Sequence, residues 1–208
     1  MVDSQLRAGG VTEPRLLARF RALPRERFVP EARRALAYVD DLHWFGTPGS
    51  ARFMPAPVTL ARLVHLADIR ETDTVLDVGA TSGYATAILA GLAASVTGLE
   101  SDPQLAATAS GNLAALGLSN ARMVTGTIEQ VGETQFDAII VQGMLDTVPP
   151  AFIDRLKDGG RLIALIRKGP IGIANVVLRS GGGTTVRAEY NAFLPPLPDT
   201  RRDEEFVF

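Results

Sequence analysis

A run of small residues, Gly79-Ala80-Thr81-Ser82-Gly83, and an acid, Glu100, are the groups in this chain whose types and spacing suit chemistry on a bound nucleoside. Small residues let the backbone approach a ligand closely and leave the amides of a following helix exposed at its N-terminus. Glu100 stands 21 positions after Gly79, followed by Ser101. A carboxylate at that spacing can accept both hydroxyl protons of a ribose. Thr81 occupies the place of the second glycine of G-x-G-x-x-G, so the dinucleotide fingerprint is absent and nothing is built to cradle a pyrophosphate. A cofactor with a ribose and no phosphate fits better: S-adenosylmethionine, with S-adenosylhomocysteine as its product. The plainer alternative is a small-residue turn in a core without a ligand.

Those groups need elements to hold them. Val75-Leu76-Asp77-Val78 is a short apolar run ending at the loop, and Tyr84 to Ala94 is an alanine- and leucine-rich stretch of helical length. Val96-Thr97-Gly98-Leu99 is a second apolar run, ending on Glu100. The order is that of a βαβ unit with a nucleotide-type site at its first turn. Asp77, at the end of the first run, is expected to anchor loop amides. Upstream, Thr12-Glu13-Pro14 opens a helix with a capping threonine, and Leu16, Leu17, Phe20 and Leu23 form its apolar stripe. Pro24 to Pro30 is a break with apolar anchors, and Ala32 to Val39 a short helix. Asp40 to Pro57 is loop-rich and expected to pack over the sheet, where it would cap the cofactor if it covers the carboxyl ends of the strands, with Trp44 either lining a substrate pocket or packed.

Downstream, Leu60, Leu63, Val64 and Ala67 give Val58 to Ile69 a helical stripe, with His65 beside it as a surface or packed imidazole. A further helix runs from Asp102-Pro103 to Gly117. Strands follow at Ala121 to Thr125, Phe136 to Val141 and Arg161 to Ile166, with a short helix at Ala151 to Leu156. Residues 172–179 and 184–194 read as a hairpin. The fold class is therefore α/β: a mostly parallel sheet with a C-terminal antiparallel hairpin and an N-terminal helical cap. One domain is expected over 1–208, with the cap at 1–57, the core at 58–198 and a charged, mobile tail at 199–208 whose Phe206 and Phe208 can dock.

Composition narrows the function classes. A chain of 208 residues can bury the core of one α/β domain. A net charge of −2 provides no field for nucleic acid or an anionic membrane. No apolar run reaches the roughly 18 residues of a membrane span, and MVDSQLRAGG does not read as a signal peptide. The absence of cysteine excludes disulfides and thiolate metal sites and fits a cytoplasmic location. With His43 and His65 the only histidines, no metal site is expected.

At this point the chain resembles the protein-L-isoaspartate O-methyltransferases. The resemblance rests on Val2 to Leu6, on Pro24-Arg25-Glu26-Arg27-Phe28-Val29-Pro30 (the family's PRExFVP), and on Ala37-Tyr38. It continues through VLDVGATSGY (Val75 to Tyr84), FDAIIV (Phe136 to Val141) and Leu156 to Leu162. It implies a Rossmann-like S-adenosylmethionine-dependent methyltransferase fold, the cofactor over Gly79, Ala80, Thr81, Ser82 and Gly83, and Glu100 and Ser101 at the ribose. It also implies an adenine edge near Thr127 and Ile128, and methyl esterification of isoaspartyl carboxylates in damaged proteins. Gln142, with both donor and acceptor groups, can reach cofactor or substrate.

Three positions depart from the family pattern. Its T-I-S-Q-P segment reads Phe53-Met54-Pro55-Ala56-Pro57, so Pro55 replaces the serine associated with methyl transfer and the catalytic residue is unassigned. Its G-D-G reads Gly126-Thr127-Ile128, and its T-A-A reads Gln142-Gly143-Met144. Thr47, Ser50 or Thr59 can stand in for the serine, or serve as turn and cap residues. The readings are therefore methyl transfer to isoaspartyl proteins or peptides, transfer to another acid or small molecule, or a cofactor-binding protein without turnover.

Overall fold

In chain order the regular elements are α1 (Pro14–Ala22), β1 (His43–Phe45), β2 (Arg52–Met54), α2 (Pro57–Ala67), β3 (Thr74–Val78), α3 (Tyr84–Ala90) and β4 (Ser95–Glu100). They continue with α4 (Pro103–Ala115), β5 (Ala121–Thr125), β6 (Phe136–Leu145), α5 (Pro150–Asp154), β7 (Leu156–Lys168), β8 (Ile171–Ser180) and β9 (Gly183–Ala192). The computed structural model describes residues 1–45 and 52–197. Gly46, Thr47, Pro48, Gly49 and Ser50, and the tail with Phe206 and Phe208, lie outside the described residues.

β3 is the axis of a seven-stranded sheet of order β5-β4-β3-β6-β7-β8-β9. β5, β4, β3, β6 and β7 are parallel, while β8 and β9 add antiparallel strands at one edge. The chain leaves β3 toward β4 and returns on its other side as β6. The crevice at the carboxyl ends of β3 and β6 is thus the topological switch point, where open α/β sheets bind ligands. Val75, Leu76, Ile139, Ile140 and Ile163 are fully buried, as a sheet covered on both faces requires.

The helices lock the unit from both sides. α3 buries all seven of its residues and stops at Ala90, four residues earlier than the composition suggests. A Cβ on Gly91 would lie 1.9 Å from Arg19 Nε, so the guanidinium of α1 fills that space. Arg19 donates to the Ala87 carbonyl at 3.1 Å and Arg15 to the Leu92 carbonyl at 2.8 Å. Cationic side chains on the last carbonyls of a helix complement its dipole. α1 is capped by Glu13 rather than Thr12: with Pro14 opening the helix, the Glu13 carboxylate accepts from the Arg15 and Leu16 amides. α4 begins as its sequence suggests, with Asp102 accepting from the Gln104 and Leu105 amides at 2.8 and 3.0 Å.

Other boundaries differ for physical reasons. The segment after Pro30 makes a 3-10 helix over Glu31–Leu36 with no buried residue, so no apolar face recruits a longer α-helix. β6 runs on through Gln142 and Gly143 to Leu145, and β7 starts at Leu156, five residues before the expected Arg161, with a bulge between them. The cap contributes a two-stranded ribbon, His43↔Met54, Trp44↔Phe53 and Phe45↔Arg52. No helix among the described residues is long and apolar enough to cross a membrane.

Candidate cofactor site

The turn after β3 is built from left-handed backbone. Gly79 has φ 77° and Gly83 φ 87°, which glycine adopts at little cost. Thr81 between them is also left-handed, at φ 48°. For a β-branched residue that conformation costs roughly 1–3 kcal/mol and persists only where the surroundings fix it. Here the fixing contact is identifiable, because the Thr81 amide donates to Glu100 Oε2 at 2.8 Å. The Thr81 hydroxyl is buried with no hydrogen-bond partner among the described residues. Ser82 faces the cap, its hydroxyl donating to the Phe28 carbonyl at 2.6 Å.

Glu100 lies at the end of β4 and is 1% exposed. Besides Thr81 it accepts from the Asp102 amide at 2.9 Å and from Arg52 Nε at 2.8 Å. The Arg52 contact has no counterpart in the sequence reading, since the two residues are 48 positions apart. Ser101, beside it, receives Arg52 Nη2 at 2.5 Å.

Asp77 is fully buried and does not bond the loop amides. Its carboxylate accepts from the Thr86 hydroxyl at 2.6 Å and from Gln142 Nε2 at 2.5 Å. Gln142 is thereby held at the carboxyl end of the sheet, 2% exposed, as a clamp on Asp77. Burial pushes the Asp77 carboxyl up to about 6, against the two hydrogen bonds, and the neighbouring Glu100 charge pushes the same way. The unfolded reference lies near 3.8. Because the folded carboxyl holds its proton more tightly, its contribution is present below about pH 4 and lost as pH rises through about 6, roughly 3 kcal/mol in all. Asp77→Asn is therefore expected to gain stability relative to the wild type between those limits. Urea unfolding at pH 4.5 and pH 8 measures the difference, and an equal gap at both pH values would rule out ionisation of Asp77 as its cause.

Thr127 and Ile128 end up apart in character. Thr127 is exposed and caps the 3-10 turn Ile128–Val131, in a reciprocal capping box with Gln130. Ile128 is buried. On the other side of the loop sits a residue the sequence reading did not single out, Leu197. Added Cβ atoms on Gly79 and Gly143 would meet Leu197 at 2.9 and 2.8 Å. Two backbone bonds hold this segment to β6, Met144 to the Pro195 carbonyl at 2.9 Å and Leu197 to the Met144 carbonyl at 3.0 Å.

A second missed residue anchors the cap. Arg25 is fully buried; its Nε donates to the Ala37 carbonyl at 2.8 Å and Nη2 to the Pro55 carbonyl at 2.7 Å. Its guanidinium lies 4.7 Å from the centroid of the Tyr84 ring, at the start of α3. Pro55 is thus fixed through its backbone carbonyl. His43 is also fully buried, with both ring nitrogens unpartnered among the described residues, and burial and Arg25 hold its pKa below the usual imidazole range. Trp44 is 43% exposed and packs edge-on against Phe53 at 5.5 Å. His65 is exposed on α2, away from these groups.

The donor set suits S-adenosylmethionine. A left-handed loop, a buried unpartnered Thr81 hydroxyl and a carboxylate at the end of the next strand offer an adenosine what it needs. Of the two buried carboxylates, Glu100 is paired with Arg52, while Asp77 is bonded to the uncharged Thr86 and Gln142, so the site keeps a negative charge that favours a sulfonium and disfavours a pyrophosphate.

Comparison with known proteins gives the family and the same cofactor. The family model described as protein-L-isoaspartate(D-aspartate) O-methyltransferase matches residues 1–197. The protein-L-isoaspartate O-methyltransferase of Methanoculleus marisnigri is 35% identical, over 94% of this chain and 89% of its own length. That of Rhodopseudomonas palustris is 39% identical, over 78% and 74%. A Plasmodium falciparum structure assigned to protein-L-isoaspartate O-methyltransferase, in complex with S-adenosyl-L-homocysteine, superposes with a TM-score of 0.76 at 21% identity, over 92% of this chain and 94% of the other. The fold is accordingly the Rossmann-like methyltransferase fold. With the family model covering nearly the whole chain and relatives above 30% identity along most of it, the chain belongs to the protein-L-isoaspartate O-methyltransferase family.

Proposed function

We propose that this chain binds S-adenosylmethionine over Gly79 to Gly83 and methylates the free carboxylate of isoaspartyl residues in proteins or peptides. The observation that carries the reading is Glu100, a buried acid at the end of β4 tied through the Thr81 amide to the glycine loop. Bound there, the cofactor supplies an electrophilic methyl group on a sulfonium. Glu100, with Ser101 beside it, holds the ribose; Gly79, Ala80 and Gly83 allow close backbone approach; Thr81 offers its unpartnered hydroxyl. Ile128 is an apolar wall for the base, with Thr127 at its edge. Gln142 acts through Asp77, keeping that acid in place beneath the loop.

The nucleophile is a carboxylate already ionised at pH 7, so the chain needs no general base. Its work is alignment and exclusion of water, which the cap provides. Exposed Trp44 offers a peptide an aromatic face beside the β2–Pro55 segment. Pro55 has no hydroxyl and its carbonyl is committed to Arg25. That observation favours a second reading in which cofactor binding persists and isoaspartyl turnover is slow or directed to another acid.

Transfer of a labelled methyl group to an isoaspartyl peptide, with the aspartyl peptide as control, tests the proposal. The wild type is expected to label the isoaspartyl peptide alone. Pro55→Ser is expected to raise the rate on the order of tenfold to a hundredfold, as restoring one oriented donor does. Cofactor binding with no labelling by either protein would leave the second reading.

A further inference from the structure

The acid assigned to the ribose already has a cationic partner. Arg52 Nε donates to Glu100 Oε1 and its Nη2 to Ser101 Oγ. Oε1 also accepts from the Asp102 amide, and Oε2 from the Thr81 amide. A carboxylate offers about four lone-pair positions. Three carry these bonds, and a ribose diol gripped by one acid takes two. One of the three donors must therefore leave. The Thr81 amide belongs to the left-handed turn and the Asp102 amide to the start of α4, so neither can leave without unmaking its element. Arg52 comes from outside the βαβ unit, on the short β1–β2 ribbon, and its long side chain can change rotamer. The pair is not a solvated surface contact: the Glu100 side chain is 1% exposed and that of Arg52 is 19% exposed.

We propose that Arg52 is a competing ligand of Glu100, so that adenosine enters by displacing the guanidinium from Oε1 and the cap strand β2 moves with it. The inference rests on Glu100 being the ribose acid. It makes Arg52 a determinant of cofactor affinity, and it couples cofactor entry to the segment that carries Pro55. Trp44 reports the event, being the only tryptophan and packed on Phe53, the neighbour of Arg52.

Titration with S-adenosylhomocysteine, read by calorimetry and by Trp44 fluorescence, tests it. Arg52→Ala and Arg52→Gln are expected to bind roughly tenfold tighter than the wild type, the loss of one charge-assisted competitor. Wild-type Trp44 emission is expected to shift on binding, with a smaller shift in both variants. In a Glu100→Gln background, Arg52→Ala is expected to change affinity little, because the two residues act on one contact. Unchanged or weaker binding by both Arg52 variants, with Glu100→Gln still weakened, would overturn the competition and leave the ribose assignment standing. Unchanged binding by Glu100→Gln would overturn the ribose assignment itself.

Discussion

Replacing Arg25 with methionine is expected to lower folding stability by about 3–5 kcal/mol, the largest single-residue loss expected here. Methionine matches the unbranched stem and removes the head. The Ala37 and Pro55 carbonyls, bonded at 2.8 and 2.7 Å by a side chain with no exposure, then lose their donor. Each buried acceptor left unsatisfied costs roughly 1–3 kcal/mol, and the contact with the Tyr84 ring adds about 1–2 kcal/mol in a desolvated setting. Relief of the guanidinium's own burial works the other way, and it is the same burial that lowers its pKa. Urea unfolding gives the difference as a shift of midpoint at constant slope. A loss below about 1 kcal/mol would show that Arg25 does not hold the cap segments together over α3.

The second large effect concerns the ligand. Glu100→Gln is expected to weaken S-adenosylhomocysteine binding by about 1.5–3 kcal/mol, roughly ten- to a hundredfold, through loss of hydrogen bonds to a charged acceptor. Glutamine keeps one carbonyl oxygen for the Thr81 or Asp102 amide, so the turn retains a partner. Circular dichroism checks that the fold survives, and calorimetry reads the affinity. Part of the loss is offset because the neutral amide also releases Arg52, so the Arg52→Ala background gives the larger contrast. Equal affinity in wild type and variant would place the ribose elsewhere.

Much of this site is local in the chain, and the local part was legible. β3, the loop, β4 and Glu100 follow each other within 27 residues, and their small, apolar and acidic types announce their roles in order. The mostly parallel sheet follows from the αβ alternation. What escaped is long-range. Arg19 fills the space over Gly91 and shortens α3, a contact across 72 positions. Arg25 looks like one charge among several in Pro24 to Pro30, yet it is the one turned wholly inward. Arg52 and Leu197 carry no signal of their own type, and both reach the loop only because the cap and the segment after β9 return to the carboxyl ends of the central strands. Asp77 and Gln142 are legible as polar groups near the site. Their mutual bond needed β3 and β6 to be neighbours, which spacing alone does not show.

The central claim is that the crevice beside Gly79 holds an adenosine by the acid at the end of β4. A crystal structure with S-adenosylhomocysteine tests it most directly. The account predicts ribose hydroxyls on Glu100, the Thr81 turn unchanged, and Arg52 withdrawn from Oε1. Crystals soaked in the compound that still show Arg52 on Glu100, with no adenosine in the crevice, would contradict it.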